Sequence, residues 1–358
     1  MPGRAERDKP FNKIRKRGCT FMALKPITVV LSQTRSKDPA KRNLEEEIAT
    51  ALLLEPGIDF AVVPHVYDLY PEDTGLLYLS SVQGHLILLS WLYPRAAHWL
   101  LDRNGVKGKA GTSALKSMGA QDDEDEPDMP EAEPRGVGAA DVPDRSIFCL
   151  DLRAYEDPRV YVNEIKRLAA EAAVKLVPLT IGSSGGDKSP QPLELLTARQ
   201  NGALTVLGEA SDRRWYPVID YARCTNCMEC IDFCLFGVYG LDGKEMILVE
   251  NQDSCKRGCP ACSRVCPENA IIFPEHKTPA IAGAPGEGPG GMKIDLSKLF
   301  GAPTAIEMAA LERDAELVRD GRDAVGLAVG IPKRQGGKVV AEKDDLDKLM
   351  DELDGLAL

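Results

Sequence analysis

No glycine fingerprint for a dinucleotide stands between a strand and a helix in this chain, so nothing in its motifs announces a flavin or nicotinamide site. The nearest approach to a phosphate loop, Gly182 to Ser189, fails as well. Asp187 separates the last glycine from Lys188, and Ser189-Pro190 follows where a helix should open. The N-terminus lacks the apolar core of an export signal, which argues against a secreted disulfide framework and predicts a cytoplasmic protein. Leu86 to Tyr93 is apolar, but it is too short and too close to His85, Arg95 and His98 to span a membrane. The basic arm from Arg4 to Arg17 has little aromatic interleaving, so no nucleic-acid partner is expected.

The net charge of -11 is concentrated in segments that look peripheral. Residues 119–145 run through Asp122, Asp123, Glu124, Asp125, Glu126, Asp128, Glu131 and Glu133 among prolines, a composition that buries little and predicts disorder. Glu342 to Asp354 adds a second acidic excess. The parts expected to fold are then near neutral.

Cysteine is what the chain has in quantity. Eight of its ten cysteines crowd together as Cys224, Cys227, Cys230 and Cys234, then Cys255, Cys259, Cys262 and Cys266 followed by Pro267. Three thiolates with two residues between neighbours wrap one face of an iron-sulfur cubane, while the wider gap that follows carries the fourth sulfur to another cluster. Applied here, the rule assigns one 4Fe-4S cluster to Cys224, Cys227, Cys230 and Cys266, and a second to Cys255, Cys259, Cys262 and Cys234. Zinc is the competing reading, but zinc sites usually draw their sulfurs from two separated pairs. Cys149, in an apolar strand, is expected to be an inert buried thiol, and Cys19 lies in the basic arm with nothing to position a substrate.

The stretch 214–276 resembles the bacterial dicluster ferredoxins in Cys-Thr-Asn-Cys-Met-Glu-Cys-Ile-Asp-Phe-Cys and Cys-Pro-Ala-Cys-Ser-Arg-Val-Cys-Pro. The resemblance covers under a fifth of the chain and implies two repeats of strand, cysteine loop, short helix and strand. Trp215 to Tyr221, Met246 to Glu250 and Ile271 to Phe273 have strand composition, and Pro217 limits the first to a sheet edge. Ile231, Phe233, Phe236, Val238 and Ile272 are expected to line the clusters. Two departures stand out: Leu235 follows Cys234 where the family usually has proline, and the second run opens one residue wider, with Gly258 free to absorb the extra residue at positive φ. Lys256 and Arg257 should make the second cluster the easier one to reduce.

Upstream, residues 26–207 alternate β-branched apolar runs with helical patterns, the mark of an α/β domain with a mainly parallel sheet. Five strands are predicted, at Ile27 to Ser32, Asp59 to Val63, Leu76 to Ser80, Ile147 to Leu152 and Lys175 to Thr180. Helices are predicted at Asn43 to Leu54, at Val82 to Asp102 with an interruption at Pro94, and at Pro158 to Val174. Ligand sites in such sheets form beyond the carboxyl ends of the strands. The corresponding loops offer Ser32, Gln33, Thr34 and Arg35; His65, Tyr67 and Asp68; Ser80, Ser81, Gln83 and His85; and Arg153 with Tyr155. Helix capping explains such residues equally well without a ligand. His98, on an apolar helix, is expected to be a hydrogen-bonded core residue.

The expected organisation is a basic arm (1–25), the α/β domain (26–207), a small α+β dicluster ferredoxin domain (208–278), a Gly/Pro linker (279–302) and a helical C-terminal extension (303–358). In the extension, a helix from Pro303 to Asp320 should pack through Ile306, Ala310, Leu311, Leu317 and Val318. Beyond it, Leu346, Leu349, Met350, Leu353 and Leu356 form one face of an amphipathic helix suited to docking in a groove, either of this chain or of a redox partner protein, the flexible Gly336-Gly337 before it favouring the partner. The expected function is one-electron transfer, as a carrier or as an electron-transfer subunit. The alternatives are an oxidoreductase whose α/β domain binds a substrate or flavin, and a non-catalytic scaffold or assembly protein.

Overall fold

The computed structural model describes residues 27–118, 136–139, 141–174, 205–208, 212–285 and 303–329. Its larger part is α/β, built on a six-stranded parallel sheet: β1 (Thr28–Ser32), β2 (Asp59–Val63), β3 (Leu86–Ser90), β4 (Lys109–Ala110), β5 (Ser146–Asp151) and β6 (Thr205–Val206), in the order β4-β5-β3-β1-β2-β6. The register sets Thr28 beside Asp59 on one side and beside Leu86 on the other.

Side chains of each central strand point alternately to two layers of helices. Val29, Leu31, Ile87 and Leu89 pack beneath α1 (Pro39–Leu53) and α4 (Pro158–Val174), against Ile48, Leu52, Ile165 and Leu168. Val30, Leu86 and Leu88 face α2 (Thr74–Ser81) and α3 (Pro94–Arg103), against Leu79, Ala97 and Leu100. Both faces are covered, which is why these strands read as continuous apolar runs.

One predicted strand is a helix. Leu76 to Ser80 falls inside α2, where Leu76 and Leu79 are buried while Leu77 is 56% exposed, an i,i+3 pattern rather than alternation. The third strand is instead Leu86–Ser90, which the sequence placed at the start of a long helix. A short apolar run has the same periodicity in a buried strand as in a buried helix. Lys175 to Thr180 lies outside the described residues.

The cysteine-bearing part follows as β7 (Val218–Ile219), α5 (Glu229–Phe233), β8 (Tyr239–Leu241), β9 (Ile247–Val249), α6 (Ala261–Val265) and β10 (Ile271–Ile272). The outer strands β7 and β10 pair antiparallel, as do the inner strands β8 and β9. After α7 (Pro279–Ala282), α8 (Ala305–Arg319) packs on α6. A capping box between Thr304 and Glu307 starts α8, and Gly321 at φ 74° ends it. Its buried face is Ala309, Ala310, Arg313 and Leu317. Leu311 and Val318, expected to pack, are 64% and 58% exposed.

The two parts share one core. Tyr216, Val218, Ile272 and Ala282 belong to the same buried cluster as Val30, Leu88 and Leu100. Tyr67 and Tyr216 interlock there, with the Tyr216 N–H donating to Tyr67 Oη at 2.7 Å and Tyr216 Oη donating to the Tyr67 carbonyl at 3.0 Å. Arg95 Nε donates to Asp220 at 2.6 Å across the same junction. Residues 136–139, inside the stretch expected to be disordered, are held in place: the Val137 N–H donates to the Cys224 carbonyl at 2.8 Å and that of Gly138 to Tyr221 at 2.9 Å. Asp122 to Glu133 lie outside the described residues. Among the described residues, no helix is long and apolar enough to cross a membrane.

Candidate metal centres

Two separate cavities open between the cysteine loops. The first is lined by Cys224, Cys227, Cys230 and Cys266 with Ile219, Met228, Ile247 and Ile271. The second is lined by Cys234, Cys255, Cys259 and Cys262 with Phe233, Phe236, Val238 and Tyr239. Each therefore takes three sulfurs from one run and one from the other.

The crossing follows from how two short helices end. Cys230 lies within α5, and Cys234 follows the helix in extended backbone (φ -79°, ψ 106°), so its sulfur turns to the other cavity. Cys262 and Cys266 repeat the device on α6, with Cys266 at φ -62°, ψ 117°. Pro267 enforces that extended shape on Cys266, because a residue before proline avoids the helical region. Leu235 offers no such constraint; Arg322, just beyond α8, donates to the Leu235 carbonyl at 3.0 Å and ties the segment down.

Local backbone shapes the loops. Asn226 and Met228 are left-handed (φ 57° and 67°), which lets Cys224, Cys227 and Cys230 curl round one space. Asn226 is fixed there by its amide: Nδ2 donates to the Glu245 carbonyl and Oδ1 accepts from the Ile247 N–H, both at 2.9 Å. Gly258 takes φ 88°, the positive value its wider spacing asks for. Phe233, Phe236 and Val238 line the second cavity as expected, but Ile231 and Ile272 line neither: Ile231 packs at the edge of the cysteine-bearing core, and β10 turns Ile271 to the first cavity and Ile272 into the core shared with the α/β part.

Burial pushes the Cys224 and Cys259 thiols up to about 11, and raises those of Cys262 and Cys266 as well. Donors partly offset this: the Ala270 N–H reaches Cys266 Sγ at 3.3 Å and Tyr239 Oη reaches Cys262 Sγ at 3.1 Å. Thiolates in such surroundings need a bound cation, and its binding releases their protons. The donor set of four thiols, apolar walls and donors aimed at sulfur fits an iron-sulfur cluster. Among the described residues, no group of three or more Cys, His, Asp or Glu is arranged to hold a metal ion. All nine described cysteines are free; Cys149 is buried in β5, its thiol pushed up to about 12 by desolvation.

At the carboxyl end of the sheet, the structure gathers Arg35, His65 and Asp68. Arg35 Nε donates to Asp68 Oδ2 at 2.6 Å, and His65 Nε2 lies 3.1 Å from Glu275 Oε1. Glu275, which carried no signal in the sequence, reaches in from the turn after β10. Burial raises its carboxyl, yet the His65 hydrogen bond and the charges of His65, Arg35 and Arg153 outweigh that and hold it below the usual carboxylate range. Other expected site residues have structural partners. Ser32 Oγ accepts from the Val66 N–H, Arg153 pairs with Asp151, and Tyr155 hydrogen-bonds Tyr161. Ser80, Ser81, Gln83 and His85 precede β3 and so sit at the opposite end of the sheet. His98 meets Trp99 edge-on, with no hydrogen bond at Nδ1.

No family model matches the chain, and no solved structure matches it. Over 69 residues it is 51% identical to an uncharacterized ferredoxin of Methanocaldococcus jannaschii. That match covers 19% of this chain and 46% of the relative, so the likeness spans about half of the relative's length. The chain thus carries an iron-sulfur ferredoxin segment.

Proposed function

We propose that this protein transfers single electrons through two 4Fe-4S clusters, as a carrier or as a subunit serving a redox partner protein in the cytoplasm. Cys224, Cys227, Cys230 and Cys266 would hold one cluster; Cys255, Cys259, Cys262 and Cys234 would hold the other. Bound clusters of this kind gain and lose one electron at a potential set by charge, hydrogen bonds to sulfur and solvent access. The observation that carries the reading is the pair of four-cysteine cavities, each drawing one sulfur from the opposite run. A lone zinc ion needs its ligands around one point, whereas sulfurs spread round a cavity suit a multinuclear group. Division of the chain at about residues 207 and 278 belongs to this reading too. Docking through Leu346 to Leu356 lies outside the described residues.

A second reading, an oxidoreductase with a ligand at the sheet's carboxyl end, is favoured by one observation: Ser90 Oγ and His65 Nδ1 are buried there without hydrogen-bond partners. Anaerobic purification separates the two. Iron and sulfide at about eight each per chain, reducible by dithionite and without other cofactor, support the carrier. A stoichiometric flavin supports the enzyme, and zinc in place of iron overturns both.

A further inference from the structure

The two cavities differ in the charges that line them. Around the first stand Glu229 and Glu268, with no lysine or arginine. Around the second stand Lys256 and Arg313, with no carboxylate. The cations expected to act there were Lys256 and Arg257. Arg257 is exposed, bonded to the Arg213 carbonyl and absent from the cavity wall. Lys256 is about a third exposed and paired with Asp320 at 2.6 Å, so solvent and its partner screen its charge.

Arg313 is in a different position. It comes from α8, well beyond the cysteine runs, and is only 1% exposed. Its guanidinium lies 4.5 Å over the Phe233 ring. Nη1 donates to the Val329 carbonyl at 2.9 Å and Nη2 to that of Gly326 at 2.6 Å, so the side chain is fixed. Asp314 accepts from Nε at 3.1 Å but is absent from the cavity wall, which Arg313 lines together with Cys234, Cys255, Cys259 and Cys262. Glu312 and Glu316 on the same helix act on Cys259 in the opposite sense. Both are more exposed than Arg313, and each has an arginine partner, Arg264 and Arg319. A buried fixed charge is screened least and dominates a nearby potential.

Resting on the cluster assignment above, we infer that Arg313 is the counter-charge that makes the second centre the more readily reduced of the two. Reduction adds negative charge to a cluster, so a buried cation beside one site and carboxylates beside the other split their potentials. The C-terminal helix thereby tunes a site whose ligands all lie elsewhere in the chain.

The test is an anaerobic potentiometric titration of the full chain, followed by electron paramagnetic resonance, for wild type, Arg313→Met, Arg313→Lys and Asp314→Asn. Arg313→Met should move one midpoint to lower potential and leave the other in place. Arg313→Lys should restore most of the shift, and Asp314→Asn should move the same midpoint upward. If Arg313→Met fails to keep its iron and sulfide, the upward shift in Asp314→Asn decides the matter. Unchanged midpoints in variants with full iron and sulfide, or equal movement of both, overturn the role of Arg313. Wild-type protein without iron and sulfide overturns the cluster assignment itself, a separate result from the potentials.

Discussion

In the α/β part, β3 alone buries Leu86, Ile87, Leu88 and Leu89, and helices cover both faces of the sheet. In the cysteine-bearing part no strand exceeds three residues, and α5 and α6 have five residues each. Area removed from water stabilises the first part by itself. The second has less regular structure and a smaller cluster of its own around Val238, Tyr239, Ile247, Ile271 and Phe273, to which the core shared through Tyr216, Val218 and Ile272 and whatever joins its eight thiols add. The lesson is that a short segment with only a small core of its own can be well ordered when a neighbour and a ligand supply further constraints.

Removing the metal should separate the two parts most strongly. After chelation under reducing conditions, hydrogen exchange should show amides of 224–266 losing protection while those of β1, β3 and β5 keep theirs; equal loss in both would break the comparison. Leu88→Ala should cost about 2–5 kcal/mol in a denaturant titration, because a fully buried strand residue leaves a cavity. A smaller effect belongs to the junction. Tyr216→Phe removes the hydroxyl that donates to the Tyr67 carbonyl and should cost about 1–2 kcal/mol, with parallel loss of protection on both sides.

The smallest effect is a pH dependence confined to the α/β part. Arg167, with Ala114 and Ser113, holds the Glu164 carboxyl at about 2 against an ordinary 4.5. A depressed folded pKa contributes stability that is present above the ordinary value and lost as pH falls through the folded one. Between pH 4.5 and about 2, wild type should therefore lose about 1 kcal/mol more than Glu164→Gln, a modest figure because Arg167 is 43% exposed. Identical acid profiles would remove the contribution.

Sequence alone determined what local chemistry encodes. Cysteine spacing named the eight thiols, Gly258 signalled a positive φ, and the strands at Asp59–Val63 and near Ser146–Asp151 were legible because β-branched runs bounded by turns have few other uses. Pro158–Val174 was legible from its helical pattern after the preceding strand. Tertiary structure decided the rest, because it depends on what lies opposite. Leu76–Ser80 became helix and Leu86–Ser90 strand only once the sheet needed its third member between β1 and β5. Glu275 met His65, Arg313 turned inward beside Cys234, and Ile272 faced the α/β core, all contacts between residues far apart in the chain. A periodicity records which side of an element is buried and carries no record of its neighbour.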